Sequence, residues 1–256
     1  MTLDDQQVID SQALIVDIFK GFREELLSAF GSAEFTRKSD ASQVTVWDLK
    51  VENALSTALL EAFPEIGFQG EETGKKGNED TYWLVDPIDG TSSFIRGLPF
   101  STNMAALVVD GRVIAAVIYD FVNDYLYTAL KGKGAFKDGQ PIKVNNDRQP
   151  GGLVMYSLTR QKFGHLQEAM DEIGIRLLLP MGAAGHHYVM LAEGKIDGVL
   201  VLNSTNGLHD NAPGLLLVEE AGAALLPYDN NEGVFRKEFI VGSPSVIELI
   251  EHSGLL

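Results

Sequence analysis

The stretch Trp83-Leu84-Val85-Asp86-Pro87-Ile88-Asp89-Gly90-Thr91 ends an apolar run in two carboxylates. Pro87 is expected to stop the strand, and Gly90 to permit a tight turn before the Thr91 hydroxyl. Hard cations such as Mg²⁺ favour oxygen ligands: carboxylates, water and substrate phosphate. Backbone N–H groups in a Gly-Thr turn suit an anion. The segment therefore reads as a cation site beside an oxyanion site, the pairing that phosphate-ester chemistry needs.

Two further segments carry oxygen ligands. One is Gly70-Glu71-Glu72-Thr73. The other is Leu208-His209-Asp210-Asn211-Ala212-Pro213-Gly214, followed by Leu215–Gly222. Glu71, Asp86, Asp89 and Asp210 accept hydrogen bonds only when ionised. Brought together, they would repel one another unless cations neutralise them.

In order and separation, the three segments resemble the inositol monophosphatase family of Mg²⁺-dependent, lithium-sensitive phosphatases. That family carries a Glu-Glu pair, then Asp-Pro-Ile-Asp-Gly-Thr, then Trp-Asp with small residues and Glu-Ala-Gly-Gly. The last motif departs here: His209 stands for Trp, Pro213 interrupts the small-residue run, and Ala223 stands for the second Gly. The resemblance implies two or three Mg²⁺ ions. Glu71, Asp86 and the Ile88 carbonyl would hold the first. Asp86 would bridge to a second, shared with Asp89 and Asp210. It also implies that Asp48 hydrogen-bonds Thr91, which orients a metal-activated water for direct attack on phosphorus, with Glu71 in the catalytic set. Gly90, Thr91 and Ser92 would offer N–H groups to the phosphate. Gly182, Ala183 and Ala184 would line the pocket for the alcohol, alongside Asp89 and Asp210. In inositol-hydrolysing relatives an acidic residue precedes the last metal-binding Asp by seven positions. Here that position is Asn203, which points to a polyol, sugar or amino-alcohol phosphate other than inositol 1-phosphate.

Other polar residues receive plainer readings. Glu72 is expected to support its neighbour, and Lys38 to be a solvated loop residue. His186-His187 does not suit zinc, because adjacent helical residues face different ways. His209 either replaces the packing of Trp or touches substrate. Trp47 and Trp83 read as core aromatics. Two other functions share parts of this pattern. A haloacid-dehalogenase-type phosphatase would use an aspartyl-phosphate, but its two Asp are closer together and near the N-terminus. A non-catalytic, metal-binding regulator would leave catalytic positions unfilled, and here they are filled.

The elements that must position these groups follow from periodicity. Apolar residues at helical spacing predict helices over 3–30 and 48–63, with Asp48 as a possible N-cap. Phe35–Thr45 reads as a hairpin or mobile loop. Residues 81–86 read as a strand, and 104–109 and 113–119 as a hairpin around Asp110-Gly111. Residues 125–129 and 134–136 continue the strands. Residues 138–151 read as a linker between an N-terminal α+β domain (1–150) and a C-terminal α/β domain (151–256) that supplies Asp210. Beyond it strands and helices alternate: strands at 153–157, 175–179, 199–202, 223–227 and 238–241, and helices at 161–173, 183–193, 209–222 and 244–252. The fold class is α/β (α+β). The resemblance refines it to a layered α-β-α-β-α sandwich and implies a homodimer.

The chain has 256 residues, 45% of them hydrophobic, enough for a substantial core. Twenty basic against 36 acidic side chains leave a net charge of −16, which argues against nucleic-acid or anionic-membrane partners. An anionic phosphomonoester substrate then requires cations that reverse the local field. The absence of cysteine excludes disulfides and thiolate chemistry. An acidic N-terminus without an apolar core, and no run near the roughly 20 residues of a membrane span, point to a cytoplasmic protein.

Overall fold

A computed structural model describes residues 3–39, 42–146, 153–158, 163–178, 180, 182–202, 207–227 and 238–254. Helix α1 (Asp5–Ala29) opens on a capping box. The Asp4 carboxylate accepts from the Gln7 N–H at 2.8 Å, and the Gln7 side chain accepts from the Asp4 N–H at 3.1 Å. Strands β1 (Phe35–Arg37) and β2 (Gln43–Thr45) form a two-stranded hairpin leading into α2 (Val46–Ala62). The N-cap of α2 is Thr45 rather than Asp48. Asp48 is the third helical residue, and its carboxylate accepts from the Thr45 N–H at 2.7 Å and the Thr45 hydroxyl at 2.6 Å. The capping box therefore starts the helix earlier than apolar spacing suggests.

The first sheet has eight strands: β3 (Gly67–Gly70), β4 (Gly74–Lys76), β5 (Thr81–Asp89), β6 (Thr102–Val109), β7 (Arg112–Asp120), β8 (Tyr125–Leu130), β9 (Gly134–Lys137) and β10 (Gln140–Ile142). Their spatial order is β10-β9-β8-β7-β6-β5-β3-β4, and only β3–β5 is parallel. Three features depart from the sequence reading. Strands β3 and β4, three or four glycine-bearing residues each, are too short to show a period. Strand β10 occupies the start of the expected linker. Strand β5 runs through Pro87 to Asp89, with a register shift against β6 between Asp86 and Asp89. An irregularity of this kind tolerates a residue without an N–H. The Pro87 carbonyl there accepts from Asn103 Nδ2 at 2.5 Å. Helix α3 (Thr91–Arg96) follows directly.

The second sheet contains β11 (Leu153–Leu158), β12 (Arg176–Leu178), β13 (Gly198–Leu202), β14 (Ala224–Pro227) and β15 (Phe239–Gly242), in the order β12-β11-β13-β15-β14. Helices α4 (Phe163–Glu172), α5 (Ala184–Ala192), α6 (Leu208–Glu220) and α7 (Pro244–Ser253) accompany it.

Strand alternation builds the layers. Trp83, Val85, Ala105, Leu107 and Val117 face α1 and α2 in one core. Met104, Ala116, Ile118 and Tyr127 face the other way, onto α5 and α6. Val199, Val201, Phe239 and Val241 of the second sheet meet the same helices. Val154, Leu200 and Ile240 face α4 and α7. The result is the α-β-α-β-α sandwich that the resemblance implied. With helices on both faces, sheet residues are apolar on both sides and the strands lose clean alternation in sequence. Gly214 lets α6 close on α5, because a Cβ there would lie 2.0 Å from the Tyr188 ring.

Candidate active site

The end of β5 brings Asp86 into the lining of a cleft of about 420 Å³, together with Glu71, Gly90, Thr91 and Asp210. Gly90 turns the chain in the left-handed region (φ 81°). A Cβ on it would meet the Phe100 carbonyl at 2.6 Å and Ala183 Cβ at 2.9 Å. Thr91 Oγ1 donates to the Ile88 carbonyl at 2.9 Å and lies 3.4 Å from Asp48 Oδ1. The second distance exceeds an ordinary O–H···O bond. Asp48 is fully buried, and burial pushes its carboxyl up to about 6.

The turn after β3 carries Glu71 and Glu72. Lys38, expected to be solvated, reaches both: its Nζ lies 2.7 Å from Glu71 Oε1 and 2.5 Å from Glu72 Oε1. The β1–β2 hairpin swings it there, a placement that no local pattern in sequence encodes. Burial raises Glu72 to about 7 although Lys38 works against the rise.

Glu52 of α2 holds this turn from beneath. It is fully buried, and its carboxylate accepts from the Glu72 N–H at 2.7 Å, the Thr73 N–H at 2.9 Å and the Thr73 hydroxyl at 2.7 Å. Gly70 makes room, since a Cβ would lie 2.2 Å from Glu52 Oε2. Sequence reasoning missed Glu52. Its one signal was an acidic residue at a helical position flanked by the apolar Val51 and Leu55.

Two helix starts close the site. Asp210, third residue of α6, accepts from the N-cap Gly207 N–H. At α5, the Ala184 N–H (3.1 Å) and Gly185 N–H (2.6 Å) donate to Asp89, and Thr102 Oγ1 donates to it at 3.0 Å. Asp89 thus ties the first sheet to α5. The carboxylates form two overlapping groups, Glu71–Asp86–His209 and Asp86–Asp89–Asp210, with ligand atoms in each within 4.8 Å of one another. Burial and mutual repulsion raise all three aspartates. Asp86 stands well above its usual value, Asp89 at about 6 and Asp210 at about 7. His209 Nε2 lies 3.7 Å from Glu71 Oε2 and 3.8 Å from Asp210 Oδ2, and burial lowers its pKa.

A second cavity of about 270 Å³ shares Gly90 and Asp210 with the first and is also lined by Asp89, Gly182, Ala184 and His187. Gly182 is again left-handed (φ 79°), with Phe100 Cβ 1.9 Å from where a Cβ would stand. Ala183 packs against Gly90. Ser92 lines the first cleft. Asn203 lies outside the described residues. His186 is buried against Asp120, with Nε2 3.2 Å from Oδ2.

The model of the inositol monophosphatase family matches residues 6–253. The chain belongs to the inositol monophosphatase family. Inositol monophosphatase 1 of Bos taurus is 31% identical over 205 residues, covering 74% of this chain and 73% of that protein. The inositol-1-monophosphatase of Rhizobium meliloti is 34% identical over 196 residues, 72% of each chain. A solved IMPase of Thermotoga maritima has the same fold, with TM-score 0.81, 24% identity, and 96% of this chain and 98% of that one covered. As a member of the family, the chain is a phosphoric monoester hydrolase, and its acidic cluster accords with the metal dependence of the inositol monophosphatases. No helix among the described residues is long and apolar enough to cross a membrane.

Proposed function

We infer that this protein hydrolyses a small phosphomonoester in a Mg²⁺-dependent reaction, with water attacking phosphorus directly. The observation that carries the reading is the convergence of Glu71, Asp86 and Asp210 beside Thr91 in one cleft, with Asp89 in ligand reach of Asp86 and Asp210. The donor set fits a hard cation: these ligand atoms are carboxylate oxygens, and burial together with mutual repulsion raises Asp86, Asp89 and Asp210 in the absence of a counter-charge. Glu71, Asp86 and the Ile88 carbonyl would hold one ion, and Asp86, Asp89 and Asp210 another. The Ile88 carbonyl already accepts from Thr91, and its second lone pair is available. Bound Mg²⁺ supplies charge neutralisation at the phosphoryl oxygens and acidifies water.

The chain's own groups supply the rest. With substrate bound, the Thr91 hydroxyl proton would turn from the Ile88 carbonyl to Asp48 Oδ1, leaving Thr91 Oγ1 to accept from the attacking water. The 3.4 Å separation leaves room for this contact to tighten when substrate binds. Gly90, Thr91 and Ser92 receive the phosphate from the backbone. The cavity bounded by Gly182, Ala184 and Asp210 takes the alcohol. In this reading residues 1–150 carry the metal and phosphate site, and 151–256 close it with Asp210. Family membership also supports lithium sensitivity, a homodimer and a cytoplasmic location.

The test is phosphate release from a panel of phosphomonoesters, with Mg²⁺ and with excess chelator. Single-turnover hydrolysis in ¹⁸O-water should label the released phosphate and leave Asp86 unlabelled. Activity that persists in chelator, or label in Asp86, overturns the mechanism.

A further inference from the structure

His209 is the residue at which this chain departs from its family's Trp-Asp motif, and the structure turns its ring toward the carboxylates. One ligand atom each from Glu71, Asp86 and His209 lies within 4.8 Å of the other two. The ring has a fixed seat: it packs over the N-cap of α6, where a Cβ on Gly207 would lie 2.3 Å from His209 Cε1. Glu71 is divided between two neighbours. Oε1 faces the Lys38 ammonium at 2.7 Å, and Oε2 faces His209 Nε2 at 3.7 Å. A cation already sits on one oxygen, and an imidazole nitrogen flanks the other.

We propose that His209 is a nitrogen ligand to a divalent metal held with Glu71 and Asp86, which makes this a mixed nitrogen–oxygen centre that favours a first-row transition ion such as Mn²⁺ over Mg²⁺. The inference rests on the metal-dependent reading above and concerns which ion that site prefers. Mg²⁺ takes oxygen ligands in near-ideal octahedra and sheds water reluctantly, whereas imidazole nitrogen suits the transition dications. Tryptophan at this position offers no ligand atom, since its indole N–H only donates. The other described histidines near the site are engaged elsewhere: His186 faces Asp120, and His187 lines the second cavity.

The experiment uses the full chain without substrate. Mn²⁺ is bound and examined by pulsed electron paramagnetic resonance for coupling to ¹⁴N. Dissociation constants for Mn²⁺ and Mg²⁺ are measured by calorimetry. Wild type should show imidazole ¹⁴N coupling that becomes ¹⁵N coupling in protein made with [¹⁵N]histidine. The coupling should vanish in His209→Ala and His209→Trp. In both variants the preference for Mn²⁺ over Mg²⁺ should fall about tenfold to a hundredfold, the range by which groups around a metal tune its affinity. The isotope comparison needs no variant, so misfolding of one does not protect the proposal. Bound Mn²⁺ without nitrogen coupling, or coupling and preference unchanged in folded variants, overturns the role of His209 alone. Failure of both ions to bind overturns it together with the metal-dependent reading.

Discussion

Asp86 belongs to both overlapping ligand groups, so its charge is the hardest to replace. In Asp86→Asn, kcat should fall by about 10²-fold or more, the scale at which preorganised electrostatic groups are lost. The metal-free variant should melt no lower than wild type, because one member of a self-repelling buried cluster has been neutralised. Thermal melts in chelator check the second half of this expectation, and steady-state kinetics the first. Thr91→Ala separates orientation from binding. Among the described residues its hydroxyl meets Asp48 and the Ile88 carbonyl. Its loss should therefore lower kcat by about 10-fold to 10²-fold and leave KM within a few-fold, since orienting water matters mainly in the transition state. An unchanged kcat removes Thr91 from the reaction. Asn203 faces a comparable test. Inositol 1-phosphate is expected to be a poor substrate, and Asn203→Glu to raise its kcat/KM relative to the rest of the panel by about one to two decades, the worth of one charge-assisted hydrogen bond.

At the scale of elements, the turn between β3 and β4 depends on α2. Glu52 accepts two N–H bonds and one hydroxyl bond from residues 72 and 73, and Glu71 points into the cluster from the same turn. Glu52→Gln sets an amide NH₂ against donors that need an acceptor. Leaving buried donors unpaired costs about 1–3 kcal/mol each. The variant should unfold at lower denaturant concentration and should also need several-fold more Mg²⁺ for half-maximal activity. If stability falls while the Mg²⁺ requirement is unchanged, Glu52 supports the fold without positioning Glu71. A similar dependence links β5 to α5, because the two N–H groups at the start of α5 are satisfied by Asp89.

The whole molecule gathers negative charge and then buries part of it. Asp48 and Asp89 stand at about 6, Asp210 and Glu72 at about 7, all above ordinary carboxylates. The folded state therefore holds protons that the unfolded chain has released. The stability these groups contribute is fully present below the unfolded values near 4 and is lost as pH rises through about 6 to 7. Asp120 and Glu193, held low by His186 and by Lys137, Lys195 and Tyr127, act in the opposite sense only at more acidic pH. Metal-free protein should consequently melt at progressively lower temperature from about pH 5 to pH 8. Millimolar Mg²⁺ should restore most of the loss, and more of it at the higher pH. Melting curves in chelator and in Mg²⁺ across that range test this, and a flat metal-free profile contradicts it.

What the sequence alone determined is local in origin. Asp-Pro-Ile-Asp-Gly-Thr names its own turn, because only glycine accepts φ 81° against the Phe100 carbonyl. The order of the Glu-Glu, Asp-Asp and Asp210 segments was enough to identify the family, and that resemblance, not the helical and strand periods, implied the layers. Tertiary structure decided what spans distant parts of the chain. Lys38 meets Glu71 across 33 positions, Glu52 meets Thr73 across 21, and Ala184 meets Asp89 across 95. None of these has a periodic signature, since each depends on sheet register and on how helices settle between sheets. The passage of β5 beyond Pro87 was hidden for the same reason: the register shift that tolerates a missing N–H exists only against β6. His209 shows the boundary between the two. Its replacement of tryptophan is legible in sequence, but that its nitrogen faces Glu71 follows only from the start of α6 packing on β5 and β6, beside the turn that carries Glu71.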